Sequence, residues 1–312
     1  MFINIVVLSL KMAIETLTNY IENIPLTILI PYTIGFLVLL IGSYTDIKTR
    51  EVPDWVNFGL ISMGFGINLL FSAIYWKIDF IVASVAGFAV FFIITSIMFY
   101  AGQWGGGDSK ILMGLGAMIG IDFFSGNFFL AWFLINALIV GALYGILWSI
   151  VSIINNKEKF LKSFKKDLSN KKVMVIRRVI LALFVILALA AILVPDNIVR
   201  LILLYLAFVS VITFYIWIAV KSVENACMLR YVEPQKLTEG DWIAKEVKIN
   251  GEYITGPKDL GVSKKQIRKL VGLYKMGKVR KILVKEGIPF VPSFFVAYIF
   301  TLIFGNLLFF LV

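Results

Sequence analysis

Asp46 and Asp108 are the two side chains of this sequence best placed to do chemistry together. Asp46 follows the apolar run Pro25 to Tyr44. Asp108 lies between the apolar runs Phe80 to Tyr100 and Ile111 to Ile121. An ionisable residue at such an edge is expensive to keep and marks a functional site that needs a named partner. Two carboxyls a few ångströms apart supply a base that activates water and an acid that protonates a leaving amine. Like charges that close cannot both ionise, so the pair keeps one proton over a wide pH range. It titrates as a unit, and neither residue is assigned the acid or the base. This is the chemistry of peptide hydrolysis, and it calls for no metal or cofactor.

The neighbours of each aspartate support that chemistry. Gly105, Gly106 and Gly107 precede Asp108, and Lys110 follows it. The glycine triplet predicts close backbone packing and positive φ, which residues with a Cβ resist. After Asp46 comes a predicted polar turn, residues 48–54, with Lys48, Arg50, Glu51 and Pro53; Asp54 is expected to cap the next helix. Lys48 and Arg50 suit a cytoplasmic rim, where they can also attract an acyl tail or lipid phosphate. Each aspartate has a plainer reading as well: Asp108 as a helix cap, Asp46 as an ordinary loop charge. Their common face is what favours the dyad.

These residues must be positioned by membrane helices. The chain has 312 residues, is 60% hydrophobic and has a mean hydropathy of +0.91. Soluble domains are about 45–50% apolar, and several runs here reach the roughly 20 residues that cross a bilayer as a helix. The net charge of +11 fits Lys and Arg gathered in cytoplasmic loops rather than nucleic-acid binding. Histidine is absent and cysteine occurs once, as Cys227. Ser-His-Asp and Cys-His catalysis, histidine-ligated zinc, four-cysteine metal sites and a disulfide within the chain are thereby excluded.

The expected class is an all-α polytopic membrane protein with about eight transmembrane helices and a small cytoplasmic α+β insertion. Residues 1–24 read as an interfacial amphipathic segment, and residues 25–155 as the membrane core that carries both aspartates. Trp104 is expected as an interfacial anchor. Gly116 and Gly120 form a small-xxx-small pair suited to close helix packing. Residues 156–178 are a predicted basic loop, with nine Lys or Arg against Glu158 and Asp167. Such a loop stays in the cytoplasm, and counting spans back from it puts Asp46 and Asp108 on that face of the cell membrane. Two further helices occupy 179–220. A small cytoplasmic domain fills 221–289, with a hairpin at 247–254 around Asn250-Gly251 and an amphipathic helix at 264–275. A last span covers 290–312.

The stretch Gly105-Gly106-Gly107-Asp108-Ser109-Lys110-Ile111-Leu112 resembles the GxGD motif of the type IV prepilin peptidases. Asp46, followed by Arg50 through Asn57, looks like that family's first catalytic aspartate and the turn after it. Ile288-Pro289-Phe290-Val291-Pro292 is similar to a proline-bearing motif that opens the family's final span. The resemblance covers about residues 25–155 and the last span. It implies an intramembrane-type aspartic endopeptidase with Asp46 and Asp108 as the catalytic pair. The implied substrates are type IV pilin-like precursors, archaeal preflagellins included, cut on the cytoplasmic side after a short basic leader. Bacterial members often carry a tetracysteine zinc segment and methylate their product. A single cysteine rules out that segment here and looks more like the archaeal branch. Residues 157–287 form an insertion relative to a compact six-span enzyme. Presenilin-like proteases also use GxGD, but they place tyrosine where this chain has Thr45.

The competing class is an ion- or proton-coupled transporter, in which paired intramembrane aspartates bind a cation. It predicts internal repeats with matching broken helices, and the glycine–aspartate stretch has no second copy. An idle membrane scaffold is the third reading; it would tolerate asparagine at either position.

Overall fold

The computed structural model describes residues 24–122, 128–249 and 251–307. The predicted interfacial segment 1–24 falls almost wholly outside them. Among the described residues six helices are long and apolar enough to cross a membrane. They are α1 (Leu26–Thr49), α2 (Asp54–Tyr75), α3 (Asp79–Tyr100), α5 (Phe129–Asn155), α7 (Lys171–Leu193) and α8 (Asn197–Cys227). Two apolar helices, α4 (Gly106–Ile119) and α10 (Val291–Phe304), have only 14 residues each. The chain is thus a multi-pass membrane protein; among the described residues six spans meet the length, which does not confirm the expected count of about eight.

The chain divides into two compact units. The first holds α1 to α4, the start of α5, and α10. Its core gathers Leu39, Leu60, Phe91, Ile111, Leu112, Leu115, Met118, Phe133, Phe294 and Tyr298. The short α4 sits between α2 and α3 because glycines remove the side chains that would hold them apart. A Cβ on Gly64 would lie 2.7 Å from the Met118 nitrogen, and one on Gly116 would lie 2.5 Å from the Gly87 carbonyl oxygen. Gly116 and Gly120 therefore pack as predicted, against Gly87 and Ala83 of α3. The last carbonyls of α4 are buried and need donors, since lipid offers none. Asn68 Nδ2 donates to Ala117 and Met118 (3.2 and 3.0 Å), and Ser84 Oγ donates to Ala117 (2.5 Å).

Helix α10 is fastened to the same bundle by polar side chains. Tyr298 donates its hydroxyl to the Tyr32 carbonyl (2.9 Å) and packs edge-on against Phe129 and Phe133. Asn136 Nδ2 donates to Thr301 Oγ1 and to the Gly305 carbonyl, and its Oδ1 accepts from the Leu307 N–H. Trp104, expected as an interfacial anchor, is buried instead, with its ring edge-on to Phe294.

The second unit, residues 144–288, contains the end of α5, the short α6 (Lys157–Leu168), α7 and α8, and a small α+β part. The predicted basic loop 156–178 is helical: it forms α6 and the first turns of α7. Phe160, Phe164 and Leu168 recur at a spacing of four, and lysine and leucine are good helix formers. Phe164 and Leu168 pack on Val173, Phe214 and Ile218. Strands β1 (Leu229–Val232), β2 (Trp242–Ile243) and β5 (Ile282–Lys285) form an antiparallel sheet in the order β1-β5-β2. The expected hairpin is β3 (Val247–Ile249) with β4 (Glu252–Thr255), turning through Gly251 at φ +82. Helix α9 (Lys264–Lys275) is capped by Ser263, whose hydroxyl accepts from the Gln266 N–H. Leu270 of α9 joins Ile243, Ile254, Ile282 and Val284 in the core of this part.

Candidate active site

Helix α1 does not stop before Asp46. It runs on to Thr49, so Asp46 stands in its last turn and only residues 50–53 remain as the turn into α2. Arg50 ends the helix in the left-handed region, φ +62, and its N–H returns to the Asp46 carbonyl at 2.9 Å. That conformation is uncommon without glycine. It is what folds the chain sharply enough for α2 to start at Asp54. Pro53 is the residue ahead of that helix; Asp54 is its first residue and makes no cap, contrary to expectation. Asp54 instead pairs with Lys110 (2.6 Å), whose ammonium also lies 5.1 Å from the Phe58 ring centroid.

The Asp46 side chain is buried, and its Oδ2 accepts the Val291 N–H at 3.0 Å. Val291 opens α10, so a free N–H of a helix first turn is spent on this carboxylate, where the helix dipole favours negative charge. The Arg50 charge also acts on Asp46. Gly42 makes this approach possible. A Cβ there would stand 2.8 Å from Ile111 Cδ1 and 3.3 Å from Val291 Cγ1. Helices α1, α4 and α10 therefore converge one turn before Asp46.

Asp108 stands in the first turn of α4, outside the six spans, and is half-buried. Its Oδ2 accepts the Gly105 N–H at 2.9 Å, so the carboxylate reaches back to close the helix start. The glycine triplet does not take positive φ; among its neighbours only Gly102 does. Of the three, Gly107 comes nearest to another segment. Gly107 lies against Val52, whose nitrogen would be 3.4 Å from an added Cβ. Burial, and behind it the charge of Asp46, push the Asp108 carboxyl up to about 7, while the Gly105 N–H acts the other way. The two aspartates, 62 positions apart in sequence, are thus near enough to feel each other's charge. Arg50 and Gly105 to Gly107 lie around them. Lys110 is held aside by Asp54.

The Val291 N–H escaped the sequence reading, which marked residues 288–292 only as the start of a span. A backbone donor leaves no mark on residue type. Asn68, Ser84 and Asn136 stand outside every motif, although each is a polar side chain inside an apolar run, which is itself a signal.

Residues 33–148, which include both aspartates, match the family model described as the type IV leader peptidase family. Over these residues the chain is similar to that family. Three relatives named preflagellin peptidase align over 91 residues, or 29% of this chain. The Methanococcus voltae protein is 42% identical over 39% of its own length, that of Methanocaldococcus jannaschii 38% over 38%, and that of Methanococcus maripaludis 36% over 39%. The chain spans about two fifths of the length of these curated relatives. No solved structure matches it.

Proposed function

We propose that this protein is a membrane aspartic endopeptidase that removes the leader from type IV pilin-like precursors, archaeal preflagellins among them. Asp46 and Asp108 are its catalytic pair. What supports this is their placement: Asp46, tied to the Val291 N–H, and Asp108, tied to the Gly105 N–H, interact through their charges. The pair shares one proton. The ionised carboxylate takes a proton from water as the water oxygen attacks the scissile carbonyl. The protonated partner gives its proton to the leaving amine as the C–N bond breaks, yielding one carboxylic acid and one amine. The preflagellin relatives supply the substrate class. We place the active face on the cytoplasmic side, on the positive charge of residues 157–178.

The test is direct. Detergent-solubilised full-length protein is incubated with a preflagellin or prepilin precursor, and loss of the leader is followed on a gel and by mass spectrometry. Wild type cleaves; Asp46→Asn and Asp108→Asn do not. Cleavage that survives in either variant removes that residue from the mechanism. A wild type that leaves every precursor intact overturns the assignment.

A further inference from the structure

Asn57 is wholly buried, in the second turn of α2, yet its side chain is only half satisfied. Its Nδ2 donates to the Val52 carbonyl at 3.3 Å. Its Oδ1 has no hydrogen-bond partner among the described residues. A buried acceptor left unpaired lowers stability relative to an apolar side chain of the same shape, and each such group in a native structure needs a reason. What the amide does is hold Val52.

Val52 occupies a particular place. It is buried, in the short turn that joins the Asp46 helix to α2. On one side it lies against Gly107, the residue before Asp108; on the other its Cγ1 would be 3.9 Å from a Cβ on Gly42, one turn before Asp46. Val52 also belongs to the close-packed cluster that holds Leu39, Val56 and Ile111, so it is fixed on every side. Interiors packed this way transmit small shifts instead of absorbing them. The side chain and backbone of Val52 therefore act as a spacer between the segments that carry the two carboxyls.

We propose that Asn57 is a positioning residue which, by fixing Val52, sets the separation of Asp46 from Asp108. It touches neither carboxylate, and its effect on catalysis, though not on distance, rests on the peptidase function proposed above. A misplacement of about 1 Å can lower a rate about 100-fold, so a spacer of this kind matters to turnover far more than to folding.

Two measurements test it in the full-length protein. The first needs no catalysis. In a Cys227→Ser background, the paired substitutions Asp46→Cys and Asp108→Cys are crosslinked in membranes with a short bifunctional thiol reagent. We expect crosslinking to slow at least five-fold when Asn57→Ala is added, and equally with Val52→Ala. The second uses intact aspartates and a precursor substrate. Asn57→Ala and Val52→Ala each lower kcat at least ten-fold with KM within two-fold. The double variant is no worse than the poorer single one, because both act through one spacer. Crosslinking that is indifferent to both substitutions overturns the proposal, and so does a multiplicative loss in the double variant. If Asn57→Ala does not fold, Val52→Ala leaves Asn57 in place and decides the matter by the same crosslinking. A protein that loses crosslinking with Asn57→Ala but cleaves no precursor retains the spacer and refutes the peptidase.

Discussion

Replacing Asp108 by asparagine should abolish cleavage and, at alkaline pH, make the protein more stable. Asparagine keeps an oxygen that accepts the Gly105 N–H, so the helix start survives. It removes a carboxyl whose ionisation the folded site opposes. Folding raises this group from 3.8 to about 7. At about 1.36 kcal/mol per unit, the penalty above pH 7 is about 4 kcal/mol, against about 1.6 kcal/mol at pH 5. Half-burial leaves water some access, so roughly half of the difference, about 1.2 kcal/mol, is the expected change. The sign follows from linkage. A group raised in the folded state gives stability that is complete below its unfolded value and is lost as pH rises through about 7. The variant lacks that loss. Thermal unfolding of both proteins in the same detergent at pH 5 and pH 8 reads it out. The Tm advantage of Asp108→Asn should widen by roughly 2–5 °C between the two pH values, at 2–4 °C per kcal/mol. A Tm difference that stays constant with pH, or a variant that is less stable at pH 8, refutes the coupling of buried carboxyl and function.

Other consequences follow from the same geometry. Wild-type cleavage should decline as pH rises above about 7, because the proton shared by the pair is then lost; a pH–rate profile of precursor cleavage checks this, and a flat profile to pH 9 contradicts it. Asn68→Leu removes the Asn68 donor from the buried Met118 carbonyl and leaves Ala117 with Ser84 alone; it should lower stability by about 1–3 kcal/mol, seen as a reduced Tm. Gly116→Ala drives a methyl into the Gly87 carbonyl and should cost about 1–3 kcal/mol or more. Gly59→Ala, with nothing within 4 Å, should be neutral or slightly stabilising in the same assay. Leu270→Ala should lower the stability of the small α+β part by about 2–5 kcal/mol, exposing residues 229–285 to limited proteolysis.

The sequence discloses some of this structure and conceals the rest for physical reasons. Asp46 and Asp108 are visible because charge at the edge of an apolar run is costly, and the helices follow from run length. The cap of α9 at Ser263 and the hairpin at Gly251 are local, so residue type alone finds them. The basic segment 156–178 misleads because charge density says where a segment lies, not what conformation it takes; the spacing of Phe160, Phe164 and Leu168 carries the helical signal. Trp104 misleads for a related reason. Tryptophan suits an interface or a core equally, and only the position of Phe294, 190 residues on, decides between them. The glycine triplet shows the limit most plainly. Three glycines announce either unusual φ or close approach; none takes positive φ, and an added Cβ on Gly107 would only reach ordinary contact with Val52.

The short length of α4 decides where Asp108 can stand. Fourteen residues rise about 21 Å, less than the roughly 30 Å of hydrocarbon. A helix that starts at the rim with Asp108 must therefore end within the membrane, where its last carbonyls find no water. Asn68 and Ser84 meet that need from two neighbouring helices, and Gly64, Gly87 and Gly116 let those helices come close enough to do so. Polar residues buried deep in the bundle are thus part of how a carboxyl is held at its edge. The same logic governs Asp46, whose partner is the buried first N–H of another 14-residue helix, α10. Each carboxylate is held by the start of a helix too short to cross, and full-length spans in either place would carry those helix ends out to water and away from one another.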